Sequence, residues 1–520
     1  MNRTLCIHNG KIYGRQGLQD DTSIVIENGK ISYIGDEQGI RKYMHGEFEL
    51  INAQEHIVFP GFIDTHLHLS EWARQQDFLS LGHFTSLSDM VKYIGKMAKG
   101  KGWIFGSGWN QNNWRDAGFP HRRHLDGLEK GTKAIFYSKD LHSAWVNDAV
   151  IDLFPFKDVI EMISKAYLRR DEDGRLDGII REEAMGVLLD PIMKNNPSPI
   201  FIDPYKYFNT FYRHGITSVH SMEHIDDYLK YLALYQYELN RGLRIGVYIY
   251  NSDSAKVYEQ DLRYSSGGNW LRFFGIKCFI DGALGSQSAW MREPYENAEH
   301  VGKKVLFNLP LQKAITRAES RSCALSIHAL GDAAVEHLLD TLDYFGRPLR
   351  VPLRIEHAQC LDSGLIERMK AHNIILSVNP SHLIDDKEIA EKHWGDRSRF
   401  AFPYRSMKMA DLPFAFGSDA PVESIHPWKS IYAAVQRIPA NDLQPWYPEE
   451  IIRLTDAINA TTYYGGIING RNERKGVLAP GYLGDLFICS HNAFEDGLDD
   501  WEDFHSLLTV IDGKIVHNEL

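Results

Sequence analysis

Near both ends of the chain, apolar and polar residues alternate with a period of two in short runs; in the middle, short continuous apolar runs are separated by longer amphipathic stretches. The alternating runs at 5–8 and 11–13 flank Asn9-Gly10, those at 23–27 and 30–34 flank Asn28-Gly29, and those at 507–511 and 514–516 flank Asp512-Gly513. Such dipeptides between alternating runs predict two-residue hairpins, because both central residues of a type I′ turn need positive φ. A further strand is expected at 485–489, after the Pro480-Gly481 turn. Hairpins at both ends predict a small β-sandwich domain built from both chain termini, residues 1–58 plus 476–520.

The continuous runs lie at 58–65, 216–221, 244–250, 272–280, 323–329, 353–357, 374–379 and 413–418. Eight buried strands with helical stretches between them predict an α/β fold, a (β/α)8 TIM-like barrel over 59–475 whose active site lies at the C-terminal strand ends. Residues 70–210 separate the first barrel strand from the second, so they form a long insertion after barrel strand 1, of the kind that serves as a lid or pocket wall. Its aromatic and amide-rich segment (Trp103, Trp109, Asn110, Gln111, Asn112, Trp114) either lines a substrate pocket or forms the insertion's own core.

Composition changes this picture little. At 520 residues the chain exceeds what one core supports, and 43% hydrophobic with 24% charged residues is ordinary for a folded protein. A formal charge of −12 would repel phosphate backbones and anionic lipid, and no basic block offsets it, so neither nucleic acid nor membrane is expected as a partner. Lys99-Gly100-Lys101-Gly102 lacks the Gly-Lys-Ser/Thr ending of a phosphate loop. With no leader-like or membrane-spanning run, and five scattered cysteines without a C-x-x-C spacing, a cytoplasmic location with reduced thiols is expected. The expected partner is a small-molecule substrate, and a homodimer is the default assembly.

The first barrel run ends in His66-Leu67-His68, and residues i and i+2 of a strand share a face, so two imidazoles stand side by side at its C-terminal end. The fifth run ends at His328, the sixth in Glu356-His357 and the eighth in Ser418-Asp419. Four imidazoles and a carboxylate at one end of a barrel form an N/O ligand set suited to Zn²⁺ or another divalent metal. The fourth run carries Lys277, and a lysine inside an apolar strand is costly unless compensated. Either a salt bridge, to Asp281 or Glu182, or conversion of the amine by CO₂ to an anionic carbamate would compensate it.

Several longer motifs carry a resemblance. The run 60–68 resembles the first-strand signature of the amidohydrolase superfamily. The runs 276–286 (Ile-Lys-Cys-Phe-Ile-Asp-Gly-Ala-Leu-Gly-Ser), 327–332, 354–359 and 417–422, with 106–110 and 142–147 in the insertion, resemble its YtcJ-like branch, which includes N-substituted formamide deformylases. The resemblance spans nearly the whole chain. It implies two metal ions: His66, His68 and Asp419 on one, His328 and His357 on the other, and carboxylated Lys277 bridging them. It implies Asp419 as the catalytic general acid and base. Trp109, His142, His382 and Glu182 match positions expected on the substrate side. Ser221 and Asn110 depart from the branch, which often has acidic residues there.

The expected activity is metal-dependent hydrolysis of a non-peptide carbon–nitrogen bond, amide or formamide-type. A mononuclear deaminase-like or ester and carbamate hydrolase is the alternative, although His328 is followed by Ala329-Leu330-Gly331-Asp332 with no glutamate to serve as its acid. A non-catalytic scaffold would be expected to lose ligands. A serine nucleophile near Gly285-Ser286-Gln287-Ser288 lacks the nucleophile-elbow pattern.

Overall fold

The computed structural model describes residues 4–115, 119–154, 160–161, 163, 167–181, 183–195, 204–237, 242–302, 311–469 and 474–520. Two units emerge, Met1–Leu69 with Pro204–Leu520, and Ser70–Asp203.

The first unit contains an eight-stranded parallel sheet in sequential order: Phe62–Leu67, Ile216–Glu223, Arg244–Tyr250, Leu271–Phe279, Ala324–Ala329, Leu353–His357, Ile375–Val378 and Phe414–Phe416. Every residue of the first, second and fifth strands is buried, as expected where helices and interior cover both faces. Helices such as Asp332–Phe345 and Ser363–Ala371 follow the strands; the latter is capped by Asp362, whose side chain accepts from Leu365 N. The sheet closes just beyond its eighth strand. Asp419 N donates to His66 O (2.7 Å), His68 N donates to Ala420 O (2.8 Å), and Leu67 bridges Ala420. Closure is tight at Gly417, where a Cβ would lie 2.5 Å from His66 Cβ and 2.6 Å from His66 N.

The expected strand at 58–65 is two strands. Ile57–Pro60 pairs with Lys11–Gly14 and Leu486–Cys489 in a six-stranded sheet, while Phe62–Leu67 enters the barrel. Gly61 separates them because its Cα passes against Thr217, whose Oγ1 would lie 2.1 Å from any Cβ. That six-stranded sheet joins strands from both ends of the chain, and a four-stranded sheet holds Thr4–His8, Ser23–Glu27, Lys30–Gly35 and Phe48–Asn52. A shared apolar core includes Leu5, Ile24, Ile26, Val58, Leu486 and Val510.

The hairpins at Asn28-Gly29 and Asp512-Gly513 form as expected, with all four residues at positive φ. Asn9-Gly10 does not make one. Thr4–His8 and Lys11–Gly14 lie in different sheets, so this dipeptide carries the chain from one sheet to the other. Arg244 ties the third barrel strand to the C-terminal strands through Asp485 (2.6 and 3.0 Å) and Asp512 (3.2 Å).

The second unit is built on a six-stranded mixed sheet, ordered Leu168–Arg170, Leu176–Arg181, Ser143–Val146, Lys133–Ser138, Trp103–Trp109, Leu79–Ser80. Trp109, Trp114 and Trp145 belong to one of its cores. All five cysteines are buried and unpaired. Among the described residues no helix is long and apolar enough to cross a membrane.

Candidate metal centre

Strand ends bring the expected ligands of the first unit together. His66, His357 and Asp419 each offer a ligand atom, and these atoms lie within 4.8 Å of one another, all three residues being buried. Asp419 Oδ1 lies 3.3 Å from His66 Nε2 and 3.2 Å from His68 Nε2. The His357 ring stands 4.9 Å from that of His66 and 4.3 Å from that of His328. His382 lies on the turn after the seventh strand, with Nε2 3.5 Å from Asp419 Oδ2.

Two of these residues reach the site through unusual backbone. Strand alternation would turn Glu356 and His357 to opposite faces. His357 has φ +70° and Ala358 φ +46°, and this left-handed step lets both side chains reach His66. Asp419, at φ +60°, turns back toward the first strand in the same way. Such conformations persist where the surroundings hold them, and they cluster at functional sites.

Ring nitrogens of three histidines are engaged by neighbouring groups. His66 Nδ1 meets Glu356 Oε2 at 2.7 Å, His68 Nδ1 meets the Tyr250 hydroxyl at 2.6 Å, and His328 Nε2 meets Gly282 O at 3.1 Å. The opposite nitrogens of His66 and His68, both Nε2, face Asp419 Oδ1 at 3.3 and 3.2 Å. Burial lowers the pKa of His66 to about 4, helped by the charge of Lys277 and against the pull of Glu356 and Asp419. Burial likewise holds His357 well below the usual range. Neutral imidazoles are what metal binding requires. Burial works against ionisation of Asp419, but His66, the hydrogen bond to His68 and His357 outweigh it and keep the carboxyl well below its ordinary range.

Lys277 is fully buried, and among the described residues its Nζ has no hydrogen-bond partner. The salt bridge to Asp281 does not form, because that carboxylate accepts from Trp290 N, Leu330 N and Gly331 N. The other suggested partner, Glu182, lies outside the described residues. Burial brings the Lys277 amine down to about 8, although Glu356 and Asp419 oppose this. Four imidazoles, a carboxylate and a buried amine without a hydrogen bond among the described residues suit a divalent cation and, on Lys277, an added anionic group.

The remaining expected residues belong to the second unit. Trp109 is fully buried in its core, with the indole N–H donating to Phe136 O at 2.8 Å, so of the two readings of this aromatic segment the indole takes the structural one. His142 is partly buried, its backbone N–H donating to Asp140 Oδ1. Ser221 donates to Glu223 Oε1 (2.6 Å) and accepts from Leu69 N (2.9 Å), so the carboxylate missing at 221 stands two residues later. Sequence reasoning passed over Glu356, Arg354, Ser326 and Tyr250. A signal was present in the buried sixth strand, whose charged residues 354 and 356 share a face at spacing two.

Known proteins agree with this architecture. The chain is 28% identical to Protein LONG AFTER FAR-RED 3 of Arabidopsis thaliana (95% of this chain, 88% of the relative). It is 26% identical to Putative amidohydrolase YtcJ of Bacillus subtilis (98% and 99%) and 22% identical to N-substituted formamide deformylase of Arthrobacter pascens (95% and 94%). The crystal structure of an uncharacterized metal-dependent hydrolase from Pyrococcus horikoshii superposes with a TM-score of 0.77 at 25% identity, covering 99% of this chain and 100% of that one. The amidohydrolase family matches residues 49–517, and with a parallel barrel carrying its histidines and aspartate at the strand ends, the chain belongs to that family, in its YtcJ-like branch.

Proposed function

We propose that this amidohydrolase cleaves a carbon–nitrogen bond, other than a peptide bond, in a small amide or formamide-type molecule, using divalent metal. The convergence of His66, His357 and Asp419 within 4.8 Å carries the reading. The relative named as an N-substituted formamide deformylase supports the choice of bond. In this reading His66, His68 and Asp419 hold one ion, zinc being suited to the donors, and His328 and His357 hold a second, with Lys277 as a carbamate between them. The uncharged amine is the form that adds CO₂, and burial of Lys277 makes it accessible near neutral pH. Metal bound here supplies Lewis acidity, lowering the pKa of water toward about 7 and polarising a carbonyl.

The protein's own groups handle the proton. Asp419 is ionised at neutral pH, and its Oδ2 faces His382 while Oδ1 faces His66 and His68. Asp419 takes the proton of the attacking water and returns it to the leaving nitrogen. The return is as necessary as the removal, because an amine leaves poorly until protonated. His382 stands on the far side of the carboxylate, 3.5 Å from Oδ2. Asp419→Asn is expected to retain metal while hydrolysis of N-acyl, N-formyl or cyclic amides drops by about 100-fold or more. Near wild-type turnover in that variant would refute the assignment.

A mononuclear site is the second reading, favoured by one observation: the three convergent ligands come from the first, sixth and eighth strand ends and could hold one ion by themselves. Elemental analysis of protein produced with bicarbonate separates the two, at about two ions per chain or about one.

A further inference from the structure

We propose that Glu356 is the positioning residue of the metal centre: held by Arg354 and Ser326, it fixes His66 in the tautomer that carries its proton on Nδ1 and presents Nε2 to the ion. The inference rests on the metal-binding reading above.

Glu356 is fully buried in the barrel interior. Its two oxygens have different partners. Oε1 accepts from Arg354 Nε (2.5 Å) and from Ser326 Oγ (2.6 Å), whereas Oε2 lies 2.7 Å from His66 Nδ1. Arg354 is itself immobilised: Nη2 donates to Thr65 O (2.9 Å), Nη1 lies 3.2 Å from His220 Nδ1, and the guanidinium stacks 4.5 Å from the Tyr248 ring centroid. Arg354 and Glu356 occupy one face of the sixth strand, and Ser326 stands directly across from Arg354 on the fifth. The carboxylate is therefore held from behind by a fixed cation and a hydroxyl, and only Oε2 is left to face the site.

An ionised carboxylate can only accept hydrogen bonds. The 2.7 Å contact therefore requires His66 Nδ1 to carry the proton, which leaves the Nε2 lone pair free on the side of Asp419, 3.3 Å away. Glu356 differs here from the partners of the other ligand histidines. Tyr250, on His68, can donate or accept, so it does not fix a tautomer. His328 Nε2 meets the uncharged carbonyl of Gly282 at 3.1 Å, with Asp281 Oδ1 farther off at 3.5 Å. Of these three contacts, the one to His66 Nδ1 is made by a carboxylate at 2.7 Å, the arrangement that makes a ligand imidazole more basic.

The same geometry gives an unusual expectation for Glu356→Gln. Arg354 and Ser326 must keep donating to an oxygen, so the amide oxygen stays on their side and the NH₂ turns to His66. Nδ1 must then accept, the proton moves to Nε2, and the nitrogen meant for the ion is blocked. Shape and packing hardly change, yet the ligand is presented in the wrong protonation state.

The test compares full-length wild type, Glu356→Gln and Glu356→Ala after metal removal. Thermal melting and circular dichroism report the fold, competition with a chromophoric chelator gives the affinity for Zn²⁺, and the visible spectrum of Co²⁺-loaded protein reports the ligand field. The expected result for Glu356→Gln is a metal-free melt like that of wild type, Zn²⁺ affinity 10- to 100-fold weaker and altered Co²⁺ bands. A Glu356→Gln affinity less than tenfold below wild type overturns the inference, as does an unchanged Co²⁺ spectrum. Glu356→Ala is expected to lose at least as much affinity; if it does not fold, the glutamine variant alone decides. Wild type that binds neither ion refutes the metal-binding reading itself, an outcome distinct from variants that bind as wild type does.

Discussion

A buried ammonium without a hydrogen bond forgoes several kcal/mol of hydration, which nearby carboxylates repay only in part. Lys277 stands in this position, so it is the residue whose replacement separates a structural role from a functional one. Lys277→Met keeps the length of the side chain and removes the charge. The metal-free variant is expected to melt at or above the wild-type midpoint, while bound metal falls to about one ion per chain or less. Retention of two ions would exclude a bridging role. The proposed ligands His66, His68, His328, His357 and Asp419 stand out in the sequence because each closes an apolar run, and polar chemistry at the end of a buried strand is conspicuous. Glu356 could not be placed in the same way. Alternation puts it on the face opposite His357, and only the left-handed conformation of His357 brings both to His66. Lys277 was visible as an anomaly, but its lack of a partner depends on where Asp281 points, which is a property of the folded loops.

At the level of elements, the barrel was recoverable from eight apolar runs because parallel strands covered on both faces read as continuous hydrophobic stretches. Boundaries were recoverable only where side chains mark them. Nothing in the run 58–65 distinguishes a sandwich strand from a barrel strand, and the break at Gly61 comes from the proximity of Thr217, over 150 residues away. Asn9-Gly10 has the composition of a hairpin turn, but the flanking strands pair elsewhere, so tertiary pairing overrides the local signal. Closure of the barrel has a comparable dependence on one residue. Gly417 passes so close to His66 that a methyl group would overlap that residue's backbone nitrogen and Cβ. Gly417→Ala must therefore push the eighth strand away from the first, where the two are joined through His66 O and Asp419 N. Overpacking of this kind costs about 1–3 kcal/mol. The variant is expected to melt below wild type and also to bind metal more weakly, as read by denaturation and chelator competition. Loss of stability with unchanged metal affinity would show that closure and ligand placement are independent.

Across the whole molecule, the fold accumulates histidines that burial keeps neutral, and this sets its response to acid. Burial lowers His66 and His214 to about 4 and His426 to about 3, and holds His220 and His357 well below 6.5. An unfolded chain binds protons at these residues near pH 6.5 and the folded one does not, so stability is complete above pH 6.5 and declines as pH falls toward 4. Asp64 and Asp281, raised by burial to about 6 and about 7, act in the opposite sense, because the folded state binds their protons first. Among the described residues nine lowered histidines, these five with His56, His124, His393 and His517, outnumber four raised aspartates, these two with Asp177 and Asp332, so the net slope over this range is loss of stability with acid, by up to about 1.4 kcal/mol per pH unit for each uncompensated proton. His214 and His426 are suited to testing this, since they lie outside the metal centre. Their rings are 4.3 Å apart, His214 follows the helix Phe208–Arg213 into the second barrel strand, and His426 precedes the helix Pro427–Val435 beside Trp501. Arg213 and His505 are the nearby cationic groups that add to the effect of burial. Replacing both by phenylalanine keeps two apolar rings in contact and removes two proton-binding sites from the unfolded state. Metal-free wild type should lose melting temperature steadily from pH 6.5 to 4. The double variant should match it at pH 7.5 and fall less steeply below pH 6.5; parallel curves would place the acid sensitivity at the other titratable groups.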